Sequence, residues 1–457
     1  MPVERVKGLF VKDRSFYRLV VHMAIPVVLQ NMITIGLNII DTLMLGSYGE
    51  IQIAGSSLAN EIINIFHILC MGMGGGAAVL TGMYWGRQDL PSLKKVVTIM
   101  LRLCIGIAMV FTLATIFAPE TLMRFYTNDE ATIAKGVLYL RYSIPAYLLM
   151  GVSLTLTLVM RSTRQVKLPL YTAIVVFFAN VFFNYVLIFG KFGFPEMQIA
   201  GAALATTICR AIETAIIGGY FLFVDRKVGY RILDFLRPCG GMVKTYISYS
   251  IPVFVSDSLL AFGNTMVAMI MGRLGPNFVA ANAIIAMTVR LSTVFNQGVS
   301  QASSVITGNT LGAGEIDKAY HQGVTFFMLS ILIGIGAAVI IGAVSPIILA
   351  VYGDNLVQET HDIAVQLMLA VMLMVVFQST QGVLTKGVLR GGGDTHFLMM
   401  ADVLFLWCAS VPLGYAAAFW WGMSPFWIYV FLKIDWAIKT VWCTFRLMSK
   451  KWIRVVK

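Results

Sequence analysis

Charged residues are scarce in this chain, and they are not gathered into patches. Asp, Glu, Lys and Arg make up 12% of the 457 residues, whereas hydrophobic residues make up 58%. This leaves too little polar surface to cover a soluble globule of that size. The composition therefore predicts a polytopic membrane protein. The formal net charge of +12 does not indicate a nucleic-acid partner, because the basic residues are dispersed between apolar runs.

Several patterns that carry chemistry are also missing. The six cysteines are scattered, without a CxxC pair or a Cys/His cluster, so neither a disulfide nor a metal site of that kind is expected. The glycine-rich stretch 72–76 lacks the Lys-Ser/Thr of a phosphate-binding loop and is better explained by close helix packing. The N-terminus lacks the features of a cleaved signal peptide, so none is expected.

Apolar stretches of spanning length recur along the whole chain. About 20 apolar residues cross the hydrocarbon core of a bilayer. Twelve such stretches fall at about 19–46, 53–83, 96–118, 137–159, 168–190, 200–224, 248–271, 278–309, 323–349, 363–388, 398–418 and 426–446. Lys and Arg concentrate in both terminal tails and in alternate loops, so both termini are expected to be cytoplasmic. The even number of spans agrees with that orientation.

The two halves of the sequence repeat each other. Placing Ile251 on Ile25 gives an offset of 226 residues that needs no gap for some sixty residues. Gly86 then falls on Gly312. A coincidence of that length is implausible, so the chain is predicted to contain a structural duplication.

The duplication predicts two six-helix bundles. Residues 1–224 form the N-terminal bundle, 225–247 a basic cytoplasmic linker, and 248–457 the C-terminal bundle. Because six is even, both bundles enter the membrane in the same direction, which predicts a parallel repeat about an axis along the membrane normal. Two such bundles suit transport by alternating access. The structural alternative is a duplication that only enlarges the scaffold.

The first apolar stretch contains one carboxylate, Asp41. A charge at the centre of a membrane helix costs on the order of 3 kcal/mol on insertion scales, so something has to offset it. A water-filled cavity, a cation or a proton usually does so, which makes Asp41 a candidate functional residue. The structural alternative is a position near the helix end, from which the side chain reaches interfacial water.

Motifs in both halves resemble those of multidrug and toxin extrusion (MATE) transporters, within the multidrug/oligosaccharidyl-lipid/polysaccharide flippase superfamily. They lie at 25–31, 38–46, 161–163, 180–190, 201–206 and 389–395. The resemblance covers nearly the whole chain. It implies an all-α fold of twelve transmembrane helices in the cell membrane of a bacterium or archaeon. It further implies a secondary antiporter that exports cationic or amphipathic small molecules in exchange for inward Na⁺ or H⁺.

The resemblance assigns a coupling-ion site to the N-terminal bundle. Asp41 matches the family's first-helix acid, Asn180 its fifth-helix Asn and Thr206 its sixth-helix Thr, and these three would surround one ion. Asn184 stands where one branch of the family has a second Asp. One carboxylate with neutral oxygens suits Na⁺, and Asp41 alone can carry a proton. Alternatively, Asn180 and Asn184 only hydrogen-bond between helices.

The C-terminal bundle does not repeat the first-helix acid. Val267 occupies the position equivalent to Asp41, while Asp257 resembles an acid that some members have on the seventh helix. Asp257 is therefore a candidate for binding cargo or a second proton. Asp402 is a further candidate of this kind. Gln378 and Gln381, where other branches carry acids, are expected either to contact cargo or to join helices.

The sequence thus predicts a cation-coupled drug antiporter. A lipid or lipid-linked oligosaccharide flippase of the same superfamily is the nearest alternative, and the few intramembrane Lys and Arg argue against it. An integral membrane enzyme would need a cluster of acids or histidines near one face, so no enzymatic activity is expected. We expect no cofactor beyond the coupling ion, membrane lipid and a small-molecule cargo as partners, and a monomer.

Overall fold

A computed structural model of the chain describes residues 10–353 and 357–454. Residues 1–9 and 455–457 of the basic tails, used in the topology prediction, lie outside the described part. The α-helices are α1 (Arg14–Gly46), α2 (Glu50–Gly86), α3 (Leu90–Phe117), α4 (Pro119–Arg124), α5 (Glu130–Tyr142), α6 (Ile144–Ser162), α7 (Lys167–Ile188), α8 (Ile199–Gly219), α9 (Gly240–Gly272), α10 (Pro276–Gly312), α11 (Ile316–Gly353), α12 (Gln358–Gly382), α13 (Thr395–Phe405), α14 (Val411–Tyr415), α15 (Pro425–Leu432) and α16 (Ile434–Met448).

Most of these helices are long and apolar enough to cross a membrane. Ten helical stretches in the described residues meet that description, and α10, which bends by 46° between Arg290 and Thr293, makes an eleventh. The twelfth predicted span, 426–446, is broken at Lys433 into α15 and α16, each too short to span alone. The all-α membrane fold agrees with the sequence prediction, and its last span differs by this break.

Short π-helical segments change the register of several helices. They are Tyr220–Val224, Val383–Leu389, Leu406–Ser410 and Ala416–Trp420. Such segments are rare and often lie at functional sites, because the inserted residue re-aims the side chains that follow. Val383–Leu389 continues α12, carries Lys386 and directly precedes Arg390.

The described residues divide into two compact units. The N-terminal unit consists of Leu29–Thr81 and Asp89–Ile251, and the C-terminal unit holds the other described residues. An apolar cluster in the N-terminal unit joins α1, α2, α4, α5, α7 and α8. A larger cluster in the C-terminal unit joins α9, α10, α11, α12 and α15. The bundle boundaries at 224 and 248 stay predictions.

The linker packs on α3 of the N-terminal unit. Lys94 Nζ lies 3.1 Å from Asp234 Oδ2 and donates to the Gly229 carbonyl oxygen at 2.5 Å. Arg102 donates to the carbonyl oxygens of Phe235 and Arg237. Burial acts to raise the pKa of Asp234, but hydrogen bonds from the Arg231 backbone and Lys94 outweigh it and lower that pKa.

Gly86 and Gly312 make equivalent close contacts within the C-terminal unit. Each approaches a backbone carbonyl oxygen of the helix that ends at the other glycine. Gly86 ends α2, and a Cβ placed there would lie 2.0 Å from the Asn309 carbonyl oxygen. Gly312 ends α10, and a Cβ there would lie 2.0 Å from the Met83 carbonyl oxygen. The offset of 226 residues maps Gly86 onto Gly312 and Met83 onto Asn309. Equivalent residues of the two repeats therefore contact each other reciprocally at this point.

We expect Gly86→Ala and Gly312→Ala each to destabilise the protein, because a methyl group would overlap a backbone oxygen. Overpacking of this kind costs about 1–3 kcal/mol. The melting temperature in detergent measures the effect. Gly106→Ala is the matched control, because Gly106 also lies within a helix and no atom approaches its Cβ position within 4 Å. Equal melting temperatures in all three variants would contradict the close approach.

Candidate functional site

The predicted ion-coupling residues Asp41, Asn180 and Asn184 are in contact. Asn180 and Asn184 lie one turn apart on α7, so they share one face of the helix. Asn184 Nδ2 donates to Asp41 Oδ1 on α1 at 2.5 Å and to Asn180 Oδ1 at 2.8 Å. The two amides are 4% and 0% exposed. The acid thus has a buried amide as a hydrogen-bond partner.

One oxygen of this cluster has no partner. Asn184 Oδ1 is buried and accepts no hydrogen bond from any described residue. A buried acceptor without a donor is uncommon and calls for an explanation. Together with the Asp41 carboxylate it offers oxygen donors from two helices, and a hard cation prefers oxygen ligands. The residues therefore fit a Na⁺ ion, and the carboxylate alone fits a proton.

Thr206 joins this cluster through residues that the sequence analysis did not single out. Thr206 lies beside Tyr139, whose hydroxyl group donates to Asn60 Oδ1 at 3.3 Å. Asp41 and Arg210 both act electrostatically on Tyr139. The described residues show no direct contact between Thr206 and Asp41.

Arg210 also went unpredicted. Arg210 Nη1 lies 2.7 Å from Glu213 Oε2 on α8, and its positive charge acts on Asp41. Two charges inside the predicted span 200–224 were the available sequence signal. The Arg210–Glu213 pair adds no net charge, so it does not balance the negative charge of Asp41.

In the C-terminal unit, Asp257 forms an ion pair. Arg390 Nη2 lies 2.9 Å from Asp257 Oδ1. Arg390 follows the π-helical segment Val383–Leu389, and the changed register there directs it toward α9. The pairing offsets the cost of burying both charges. Asp257 thus faces a polar partner within the protein, and its proposed contact with cargo or a proton stays a prediction.

Asp402 lies in a second buried network, centred on Lys439. Lys439 Nζ lies 3.1 Å from Asp402 Oδ1 and 3.0 Å from Asp435 Oδ2, and all three side chains are 2–4% exposed. Ser256 donates to Asp402 at 2.6 Å, and Ser410 donates to Asp435 at 2.8 Å. The sequence analysis missed Asp435 and Lys439, although charges at i, i+4 inside the predicted span 426–446 were a usable signal.

A cavity of about 570 Å³ opens beside this network, within the C-terminal unit. Gln378, Gln381 and Asp402 line it, whereas Asp257 is not among its lining residues. Thr385 donates to the Gln381 carbonyl oxygen at 2.7 Å, and Gln378 Oε1 has no partner among the described residues. The structure thus brings three of the four candidates of the second half to one cavity.

The sequence is similar to a known protein family and to named members of other organisms. The sequence model of the MatE family matches residues 26–186 and 252–416. The probable multidrug resistance protein NorM of Thermotoga maritima is 24% identical over 414 residues, 89% of this chain and 87% of that protein. The multidrug resistance protein MdtK of Pectobacterium atrosepticum is 26% identical over 413 residues, 87% of this chain and 86% of that protein.

A solved structure shares the fold. It is an outward-facing multidrug resistance MATE family transporter of the MOP superfamily, and it matches with a TM-score of 0.84 at 16% identity, over 95% of this chain and 96% of that chain. Long apolar helices in two repeated halves, with polar clusters among them, define a multi-pass membrane transporter. The family match extends over most of both halves, so the chain belongs to the MatE family. The predicted family and fold class are confirmed.

We expect Lys439→Met to lower the melting temperature markedly. Removing one partner of a buried ion network costs about 3–5 kcal/mol, because Asp402 and Asp435 would remain buried without a cation. Combining Lys439→Met with Asp402→Asn and Asp435→Asn should restore most of the loss.

The control for this prediction is Arg124→Met. Arg124 forms an exposed pair with Glu130, in which the side chains are 50% and 70% exposed, and such pairs contribute about 0–1 kcal/mol. Thermal unfolding in detergent compares the three variants with wild type. If Lys439→Met melts together with Arg124→Met, Lys439 does not stabilise the network.

Proposed function

We propose that this chain is a cation-coupled antiporter that exports amphipathic small molecules by alternating access. The contact of Asp41 with Asn184, beside an unpartnered amide oxygen, carries the proposal. Binding of Na⁺ or a proton would neutralise the carboxylate in a low-dielectric setting. That event can bias the protein between two arrangements, provided that ion and cargo favour different ones.

The names of relatives support export of small molecules. The relatives in Thermotoga maritima and Pectobacterium atrosepticum are named as multidrug resistance proteins. The basic loops and tails support cytoplasmic termini in a cell membrane, because positive charges remain on the cytoplasmic side during insertion. Asn180 and Thr206 are assigned to the same ion as Asp41 and are expected to tune its affinity.

We expect Asp41→Asn to abolish gradient-driven efflux while cargo binding survives, because the amide keeps the volume and removes the charge. Asn180→Ala should be milder, lowering ion affinity without removing the charge. Proteoliposomes with separately imposed Na⁺ and H⁺ gradients measure both effects and identify the ion. Asp317→Asn, at an 86% exposed carboxylate, is the control. Accumulation of cargo by Asp41→Asn under either gradient would place coupling elsewhere.

Asp257 is the next candidate for coupling or cargo binding. Asp257→Asn should reduce efflux while leaving expression intact, because the amide keeps the volume of the side chain and removes the charge that is proposed to act in transport. The double variant Asp257→Asn/Arg390→Gln separates two roles in the same efflux assay. Recovery of efflux in the double variant would indicate a structural ion pair, whereas continued loss would indicate a role in transport. Wild-type efflux by Asp257→Asn across pH would exclude that role.

A lipid or lipid-linked oligosaccharide flippase is the second candidate. The observation that favours it is the set of basic residues around the cavity of the C-terminal unit: Arg290, Lys386, Lys433 and Lys439. This set weakens the sequence argument that intramembrane Lys and Arg are too few. Movement of a fluorescent anionic lipid between leaflets, without gradient-driven efflux of a soluble dye, would favour the flippase.

A further inference from the structure

We propose that the cavity of the C-terminal unit binds the anionic group of an amphipathic cargo, with Lys433 and Lys386 as its principal contacts. The inference rests on the proposed export function, for which it names the class of cargo. The shared chemistry is a carboxylate, sulfonate or phosphate attached to an apolar body, whether in a soluble compound or in a lipid.

The charges that line the cavity are predominantly positive. Four basic side chains and two carboxylates, Asp402 and Asp435, line it. The two carboxylates share Lys439, and each also accepts a hydrogen bond from a serine, so this group of three carries one negative charge and the whole lining remains net positive. Lys386, Lys433 and Arg290 form no ion pair with any described carboxylate. The cavity therefore has three cations to offer a ligand, and its acids are engaged.

Lys433 is held at the cavity by neutral groups. It lies at the break between α15 and α16, and its Nζ donates to Asn264 Oδ1 at 3.3 Å. The same ammonium group lies 5.1 Å from the centre of the Trp436 ring. An ammonium group has three donors, and the amide uses one, so donors remain for an anion. Hydrogen bonds between charged groups are about twice as strong as neutral ones.

The walls of the cavity suit an apolar body. Val267, Met271 and Ile285 line it together with the aromatic rings of Tyr429 and Trp436. A volume of about 570 Å³ lies within the range of small-molecule sites, about 300–1,000 Å³. The unpartnered Gln378 amide oxygen adds one neutral acceptor for orienting a ligand.

The two repeats differ in charge at one equivalent position. Val267 occupies the position that corresponds to Asp41 under the offset of 226 residues. The first half thus has an acid where the second half has an apolar wall beside lysines. In the N-terminal unit, α1 contributes Asp41 to the cluster that is proposed to bind a cation. In the C-terminal unit, the corresponding helix α9 lines a cavity that is rich in Lys and Arg side chains.

A matched series of fluorescent probes tests the proposal by direct binding to the purified full-length protein. Dansylglycine carries a carboxylate, its methyl ester is neutral, and dansylcadaverine carries an ammonium group. We expect wild type to bind dansylglycine roughly ten-fold or more tightly than dansylcadaverine. Lys433→Gln and Lys386→Gln should each weaken dansylglycine binding roughly ten-fold and leave the methyl ester unchanged. Lys433→Arg should retain dansylglycine.

Lys451→Gln is the matched control, because it removes a positive charge from an exposed lysine outside the cavity. Retained binding of the methyl ester shows that a variant is folded. The proposal is overturned if dansylcadaverine binds wild type as tightly as dansylglycine. It is equally overturned if both lysine variants bind dansylglycine like wild type.

Two further measurements are needed. The first distinguishes a lipid headgroup from a soluble anion, and the second distinguishes failure of the anion site from failure of the antiporter proposal. Displacement of dansylglycine by dioctanoyl phosphatidic acid would support an anion site that a lipid headgroup enters, and failure to displace it would support a site for soluble compounds. Lysine-dependent binding without gradient-driven efflux would reject the antiporter and keep the site. Gradient-driven efflux without preference for the anionic probe would reject the site alone.

Discussion

A charged side chain inside the hydrocarbon layer has to be paired, hydrated or neutralised, and the arrangement of this protein depends on that constraint. Three contacts between distant parts of the chain involve such side chains: Asp41 with Asn184, Asp257 with Arg390, and Lys439 with Asp402. Each joins helices that the apolar effect alone does not bring together, because lipid is as apolar as their side chains. Polar contacts therefore help to set which helices meet.

The three contacts differ in how completely the charges are compensated. The Asp257–Arg390 pair is neutral, and Lys439 lies within ion-pair distance of both Asp402 and Asp435, so each of these acids has a cation beside it. Among the described residues, the hydrogen-bond partner of the Asp41 carboxylate is a neutral amide. A charge that the protein itself does not neutralise is the one that a mobile cation can neutralise. Among these acids, Asp41 is the one with no cation within ion-pair distance in the described residues, which supports the proposal that it binds the coupling ion.

Much of this arrangement was predictable from sequence. Helical periodicity placed Asn180 and Asn184 on one face of α7, and a single acid in the first apolar stretch identified Asp41. The break at Lys433 and the π-helical register before Arg390 were not predictable, because both depend on tertiary contacts that compete with regular helix geometry. Within the Lys439 network, Asp435 and Lys439 at i, i+4 were visible in the sequence, but their pairing with Asp402, 37 residues before Lys439, depends on the fold.

Under both proposals, the charges of the ion and the cargo set the net charge that crosses the membrane in each transport cycle. Exchange of one inward monovalent cation for one outward cationic cargo moves no net charge, so the membrane potential does not drive it. If the cargo carries a single negative charge instead, the same exchange moves two positive charges inward per cycle. Each charge contributes about 2.3 kcal/mol per 100 mV. An anion-binding cavity in the C-terminal unit therefore adds the electrical gradient to the chemical gradient that acts at Asp41, and export against a steeper cargo gradient becomes possible.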